Sequence, residues 1–284
     1  MQASNLLAIE VGSSRVKLGW FPADAACTSE KPVGNLPIAG AVLPEPAEVF
    51  RVEHRRDERQ WIAEVESRIT ELALPPETVC VLAAVHQRAA ELLRKQVLTR
   101  QSWSRIETLN RDDLAIDVDV KEPGRVGIDR LLNALAANRV RSPEQPAIVV
   151  DMGTAMTVNL ISASGVFQGG AILAGPMTAL AALHTAMTSL PLLGPEVFET
   201  PPTAVGKSTE AALASGAYWG AIGAARQLIE RMAATCSAAP EVYLTGGAAR
   251  GLAAHVGFGD RPARHLPQLV LSGIRLAAEG ILRP

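Results

Sequence analysis

Two short stretches of this 284-residue chain place an acid, a glycine and hydroxyls in the same order: "IEVGSS", Ile9–Ser14, and "VDMGTA", Val150–Ala155. Residues of these types at this spacing can hold a phosphate. Glycine lets the backbone come close to the oxygens, and hydroxyls and outward N–H groups donate to them. A carboxylate at a strand end can hold Mg²⁺ through waters, because Mg²⁺ gives up its hydration shell reluctantly. Glu10, Gly12, Ser13 and Ser14 supply the set in the first stretch, with Lys17 adding positive charge; Asp151, Gly153, Thr154 and Thr157 supply it in the second. Either turn alone is also ordinary hairpin chemistry, since Gly and Ser are common in turns. Their recurrence half a chain apart favours the phosphate reading.

Two further segments could do chemistry. "LTGG" (Leu244–Gly247) ends a predicted strand, and Gly246 and Gly247 would let a flat ring such as adenine lie against the backbone; a strand-to-helix turn needing φ > 0 explains the pair equally well. In "GRVGIDRLLNALAAN" (Gly124–Asn138), Asp129 and Arg130 fall in the first turn of a predicted helix. The helix dipole favours an acid there whatever its role. A carboxylate in that place could also accept the proton of a substrate hydroxyl during phosphoryl transfer, where positioning counts for more than base strength.

The elements that must position these residues follow from periodicity. Leu6–Val11 reads as a buried strand and Arg15–Phe21 as its hairpin partner; Pro22 to about Gly40 reads as a loop, and Glu48–Glu53 as a further strand. Trp61, Val65, Ile69 and Leu72 give Gln60–Leu74 a helical stripe. Strand Thr78–Val85, helix Gln87–Leu98, short strand Ser104–Leu109 and helix Gly127–Asn138 follow. The pattern then restarts, with strands Ala147–Asp151 and Thr154–Ser162, a third strand in "GVFQGGAIL", helices in "PMTALAALHTAM" and "STEAALASGAYWGAIGAARQLIERMAA", a strand in "EVYLTGG" and a closing helix Leu266–Leu282. Two hairpin-led α/β halves predict a duplicated two-domain protein with a cleft between its lobes, divided into residues 1–125 and 126–284.

Composition narrows the class. Hydrophobic residues at 48% and charged residues at 20% are those of a globular chain with a large core. A net charge of −2 gives no basic surface for nucleic acid or membrane. No apolar run reaches the ~18 residues of a bilayer span. Leu6–Val11 is too short for a secretory signal and carries Glu10, so a cytoplasmic location is expected. Cys27, Cys80 and Cys236 are too dispersed for a disulfide or zinc framework and read as free, mostly buried thiols.

Taken in order, the motifs resemble those of the type III pantothenate kinases, of the acetate-kinase, sugar-kinase and actin-like superfamily. The family's first phosphate motif is matched by "EVGSSRVK", its Gly-x-Asp-Arg by "GIDR" (Gly127–Arg130), its second phosphate motif by "DMGTAMT", and its GG-x-I-x-x-G by "GGAILAG" (Gly169–Gly175). "KSTEAALASG" and "TGG" match the late motifs. The resemblance implies an α/β, duplicated actin-like (ribonuclease H-like) fold of two lobes, each with a central mixed sheet led by a β-hairpin, and a nucleotide cleft between them. It implies transfer of phosphate from ATP to pantothenate, the first committed step towards coenzyme A. Asp129 would be the catalytic base. Val120, Gly127, Ile128 and Arg130 would line the pantothenate site, joined by Thr209 from the partner of a homodimer. Ser14, Lys17, Thr154 and Thr157 would surround the phosphates, Glu10 would take the Mg²⁺ role, and Asp151 would help hold a monovalent cation, K⁺ or NH₄⁺. Thr209 is also a plain helix start beside Ser208.

Three positions depart from the family pattern. Glu10 stands for the usual Asp, a shift of up to about 1.5 Å in the carboxylate, one C–C bond. Ser13-Ser14 stands for Asn-Thr, and Val120 aligns where a tyrosine lines the pocket. Two alternatives follow from these changes: a non-catalytic nucleotide-binding regulatory protein like the family's accessory factors, and a kinase of another small alcohol.

Overall fold

Buried apolar strands set both halves of the chain. The computed structural model describes residues 4–23, 42–55 and 57–282; most of the loop expected over 22–40, and Cys27 with it, lies outside them. The chain begins with β1 (Leu6–Val11), buried at every residue, and β2 (Arg15–Phe21), paired antiparallel with Glu10 opposite Lys17. Next come β3 (Glu48–Glu53), α1 (Glu58–Glu71), β4 (Val79–Ala84), α2 (Gln87–Gln96), β5 (Arg105–Thr108) and α3 (Ile128–Val140). The sheet order is β3-β2-β1-β4-β5, with β4 and β5 parallel to β1. Helix α1 starts where Asp57 accepts from the N–H groups of Arg59 and Gln60 at 3.0 and 3.2 Å, a cap worth about 1 kcal/mol. It buries Trp61, Ile62, Val65 and Ile69 on the sheet; Leu72, expected in that stripe, is the C-cap.

The second half repeats this plan. It contains β6 (Ala147–Met152), β7 (Ala155–Ile161), β8 (Phe167–Ala174), α4 (Pro176–Ala186), α5 (Thr209–Ala233) and β9 (Glu241–Thr245). After the short α6 (Ala249–Leu252) come three two-residue strands: β10 (Gly257–Phe258), β11 (Arg261–Pro262) and β12 (Arg264–His265). Its main sheet has the order β12-β9-β6-β7-β8. Here β6 takes the place of β1, with an antiparallel hairpin partner in β7 and a parallel neighbour in β9. The three short strands have no signal in the sequence, because two residues are too few for a period of two to show. The fold is the α/β, duplicated actin-like arrangement expected.

The chain ends in α7 (Leu269–Ile281), which returns to the first unit. By their contacts, the described parts of residues 1–116, 121–140 and 268–284 form one unit, and residues 117–120 and 141–267 the other. The boundary expected at 125/126 therefore moves. It counted α3 with the second half, whereas α3 packs on α7, and α7 on β1, inside the first unit. Residues on every side of α7 are buried, among them Leu269, Leu271, Ile274, Arg275 and Ala278. Gly273 allows this packing: a Cβ there would stand 2.3 Å from the Leu132 carbonyl oxygen. Among the described residues, no helix is long and apolar enough to cross a membrane. Cys80 is buried and Cys236 partly so.

Candidate active site

In the first unit, the β1–β2 turn is closed by the Gly12 N–H donating to the Arg15 carbonyl at 2.9 Å. Glu10 is buried just before the turn, and its Oε2 is 2.9 Å from Lys17 Nζ, its partner across the ladder. The other oxygen lies over the turn, 2.8 Å from where a Cβ on Gly12 would be. Glycine at position 12 thus leaves room for the longer acid. Ser13 is exposed and Ser14 partly so.

Asp129 joins this group from α3. The helix starts with the Gly127 carbonyl accepting from Arg130 N–H at 3.1 Å, and a Cβ on Gly127 would stand 2.5 Å from Asp129 Oδ1. Burial holds the Asp129 carboxyl above its ordinary value, and the Glu10 carboxylate raises it further; the Arg130 N–H, Lys17 and Arg130 oppose this. The favour that the helix start gives an acid here is therefore outweighed by desolvation and a neighbouring carboxylate, which make Asp129 the more basic group. Burial lowers Arg130, partly offset by Asp129. Ile128 is a core residue, so its side chain belongs to the packing of α3.

In the second unit, the β6–β7 turn consists of Gly153 and Thr154, with Asp151 opposite Thr157 in the ladder. Gly175 N–H and Thr178 Oγ1 both donate to the Thr154 carbonyl, at 3.0 and 2.6 Å. The last glycine of "GGAILAG" is thereby pressed on the turn, since a Cβ on Gly175 would stand 2.0 Å from the Gly153 carbonyl oxygen. Gly246 has φ +102° and would carry a Cβ within 2.6 Å of Asp151 Oδ1 and the Met152 backbone. The end of "LTGG" thus lies against the second hairpin, and the turn itself accounts for Gly246; Gly247 follows, exposed. Val120 runs beside β8, with its Cγ1 3.3 Å from a Cβ on Gly169. Thr209 is the exposed first residue of α5, which Ser208 caps by accepting from Ala211 N–H at 3.1 Å.

Two residues went unnoticed in the sequence. His54, just past β3, donates from Nε2 to the Gly12 carbonyl at 2.8 Å and from its backbone N–H to Ser14 at 3.1 Å. No motif marks it. Asn159, fully buried, donates to Thr157 Oγ1 at 3.0 Å. Alternation along β7 could have found it, since residues 157 and 159 share a face.

Comparison with known proteins decides the family. The type III pantothenate kinase family model matches residues 6–231. A type III pantothenate kinase of Parafrankia sp. (strain EAN1pec) is 30% identical over 279 residues, 98% of this chain and 99% of that one. The chain belongs to the type III pantothenate kinase family. The family's member in Gluconobacter oxydans (strain 621H) is 38% identical over 169 residues, and this match spans 60% of each chain. The activator of the 2-hydroxyisocaproyl-CoA dehydratase from Clostridium difficile, solved with bound ADPNP, shares the fold with a TM-score of 0.51 at 10% identity, over 98% of this chain and 96% of that one.

The residues that the sequence matches to type III pantothenate kinase motifs fall into two groups, one in each unit. Glu10, Gly12, Ser13, Ser14, Lys17, Gly127, Asp129 and Arg130 belong to the first unit. Val120, Asp151, Gly153, Thr154, Thr157, Thr209, Gly246 and Gly247 belong to the second. The residues present fit the groups the family implies. Gly12 leaves room for the Glu10 carboxylate over its turn, Gly175 lets the end of β8 press on the Gly153 carbonyl, and each hairpin offers one carboxylate, Glu10 or Asp151. That suits a cation completing its shell with waters and phosphate oxygens.

Proposed function

We propose that this chain is an ATP-dependent pantothenate kinase, transferring the γ-phosphoryl group to the hydroxyl of pantothenate. The observation that carries this reading is the grouping of Asp129, Glu10 and Lys17, brought together from distant parts of the sequence in one unit. Asp129 takes the proton of the attacking hydroxyl, and its raised affinity for protons suits that task. Arg130, one residue further along α3, orients the substrate by charge. In the first unit Lys17 and the Ser13 and Ser14 hydroxyls receive phosphate oxygens, and in the second the Thr154 hydroxyl does. Glu10 would hold Mg²⁺ and Asp151 a monovalent cation, K⁺ or NH₄⁺; when bound, these neutralise phosphate charge. Thr209, exposed at the start of α5, would reach the partner's substrate in a homodimer. The enzyme would work in the cytoplasm, without nucleic acid or membrane.

A mass-detected panel tests this reading. Purified protein with ATP, Mg²⁺ and K⁺ should phosphorylate pantothenate in preference to other small alcohols; absence of phosphorylated pantothenate across a range of both cations would sink the proposal. One observation favours the regulatory alternative: the pairing of Glu10 with Lys17, which engages two phosphate-site groups with each other. A regulator of that kind would bind ATP without turnover and gain activity in Glu10→Asp.

A further inference from the structure

We infer that His54 is the positioning residue of the first phosphate hairpin, a role that rests on the kinase reading above. A turn that receives phosphate must point N–H groups outward and turn its carbonyls away, since a carbonyl oxygen facing a phosphate oxygen repels it. Here the carbonyls of Val11, Gly12 and Ser14 are taken from within. Val11 accepts from the N–H groups of Val85 and His86 at 2.9 and 3.2 Å. His54 alone takes two more, Gly12 through Nε2 and Ser14 through its backbone N–H.

The peptide plane makes the consequence definite. In a trans peptide, the carbonyl of one residue and the N–H of the next point in opposite directions. A Gly12 carbonyl fixed on His54 therefore aims the Ser13 N–H away from it, and Ser13 is exposed. The imidazole is itself held. It is nearly buried and meets the rings of Trp61 at 6.0 Å and His86 at 5.0 Å, edge-on. The His86 ring is fixed in turn, its Nδ1 accepting from Ala89 N–H at the start of α2. The turn is thereby tied to α1 through Trp61 and to α2 through His86. Donation to a carbonyl requires a proton on Nε2, and a glutamine amide can supply a similar N–H where an apolar residue of similar bulk cannot.

The experiment compares the full-length wild type with His54→Leu and His54→Gln. Calorimetry measures Mg²⁺-ATP binding, steady-state kinetics measure KM for ATP and for pantothenate, and thermal melts check folding. The role predicts that His54→Leu weakens ATP binding by about tenfold, the effect of losing one buried hydrogen bond. KM for pantothenate should stay within about twofold, and His54→Gln should recover most of the loss. A folded His54→Leu that binds ATP as the wild type does would overturn the role, and so would a folded His54→Gln that binds no better than His54→Leu. A wild type that binds no ATP would instead overturn the kinase reading, and this role with it.

Discussion

Asp129 meets three charges within its own unit: Glu10 raises its proton affinity, while Lys17 and Arg130 lower it. Activity that needs ionised Asp129 should therefore fall as pH drops through a value above the ordinary aspartate range. Removing the acid in Glu10→Gln should lower that value, and removing the cation in Lys17→Met should raise it. Carboxyl NMR of the ligand-free protein reads the shift directly; equal values in all three proteins would contradict the assigned coupling. The same raised affinity has a cost in stability. A carboxyl whose folded pKa lies above its unfolded one destabilises the fold once ionised, increasingly as pH rises from the unfolded value through the folded one. Asp129→Asn should therefore melt higher than the wild type at pH 7, with the gain shrinking as pH falls towards the ordinary aspartate range. At this scale the sequence marks the two turns by their shared order of acid, glycine and hydroxyl, although either turn alone is also ordinary hairpin chemistry. The direction of Asp129's shift was not legible, because it depends on burial and on Glu10, distant in the chain. His54 was equally invisible, since its work is done by a ring reaching another strand's turn.

Among the elements, α3 carries Asp129 and α7 holds α3. The two helices approach closely because Gly273 has no side chain to meet the Leu132 carbonyl. Gly273→Ala should force them apart and destabilise the protein by about 1–3 kcal/mol, the usual range for overpacking. Because Leu132 lies one turn from Asp129, kcat should fall as well. Chemical denaturation and kinetics check both; an unchanged midpoint would show that the helices can give way freely. Strands β1–β9 and the long helices were legible from alternation and helical stripes, within a few residues at their ends. The packing of α7 on β1 and α3 was not, since an apolar helix at the end of a chain does not say which sheet it covers.

For the whole molecule, the duplication was legible from the two matching hairpins, but the division was not. The first unit is discontinuous: it takes α7 from the far end of the chain. A chain ending at Pro267 should therefore lose the first unit's structure while the second keeps slow amide exchange; protection retained in β1 and α3 would contradict this. A fragment of residues 1–125, which lacks both α3 and α7, should not fold. The central claim is that this molecule transfers a phosphoryl group to pantothenate with Asp129 as the base. The most direct test measures kcat with ATP, Mg²⁺, K⁺ and pantothenate for the wild type and Asp129→Asn, with ATP affinity measured alongside. The account predicts wild-type turnover, a loss of at least about 100-fold in the variant, and ATP affinity unchanged within about threefold. A variant with the wild type's kcat would contradict it.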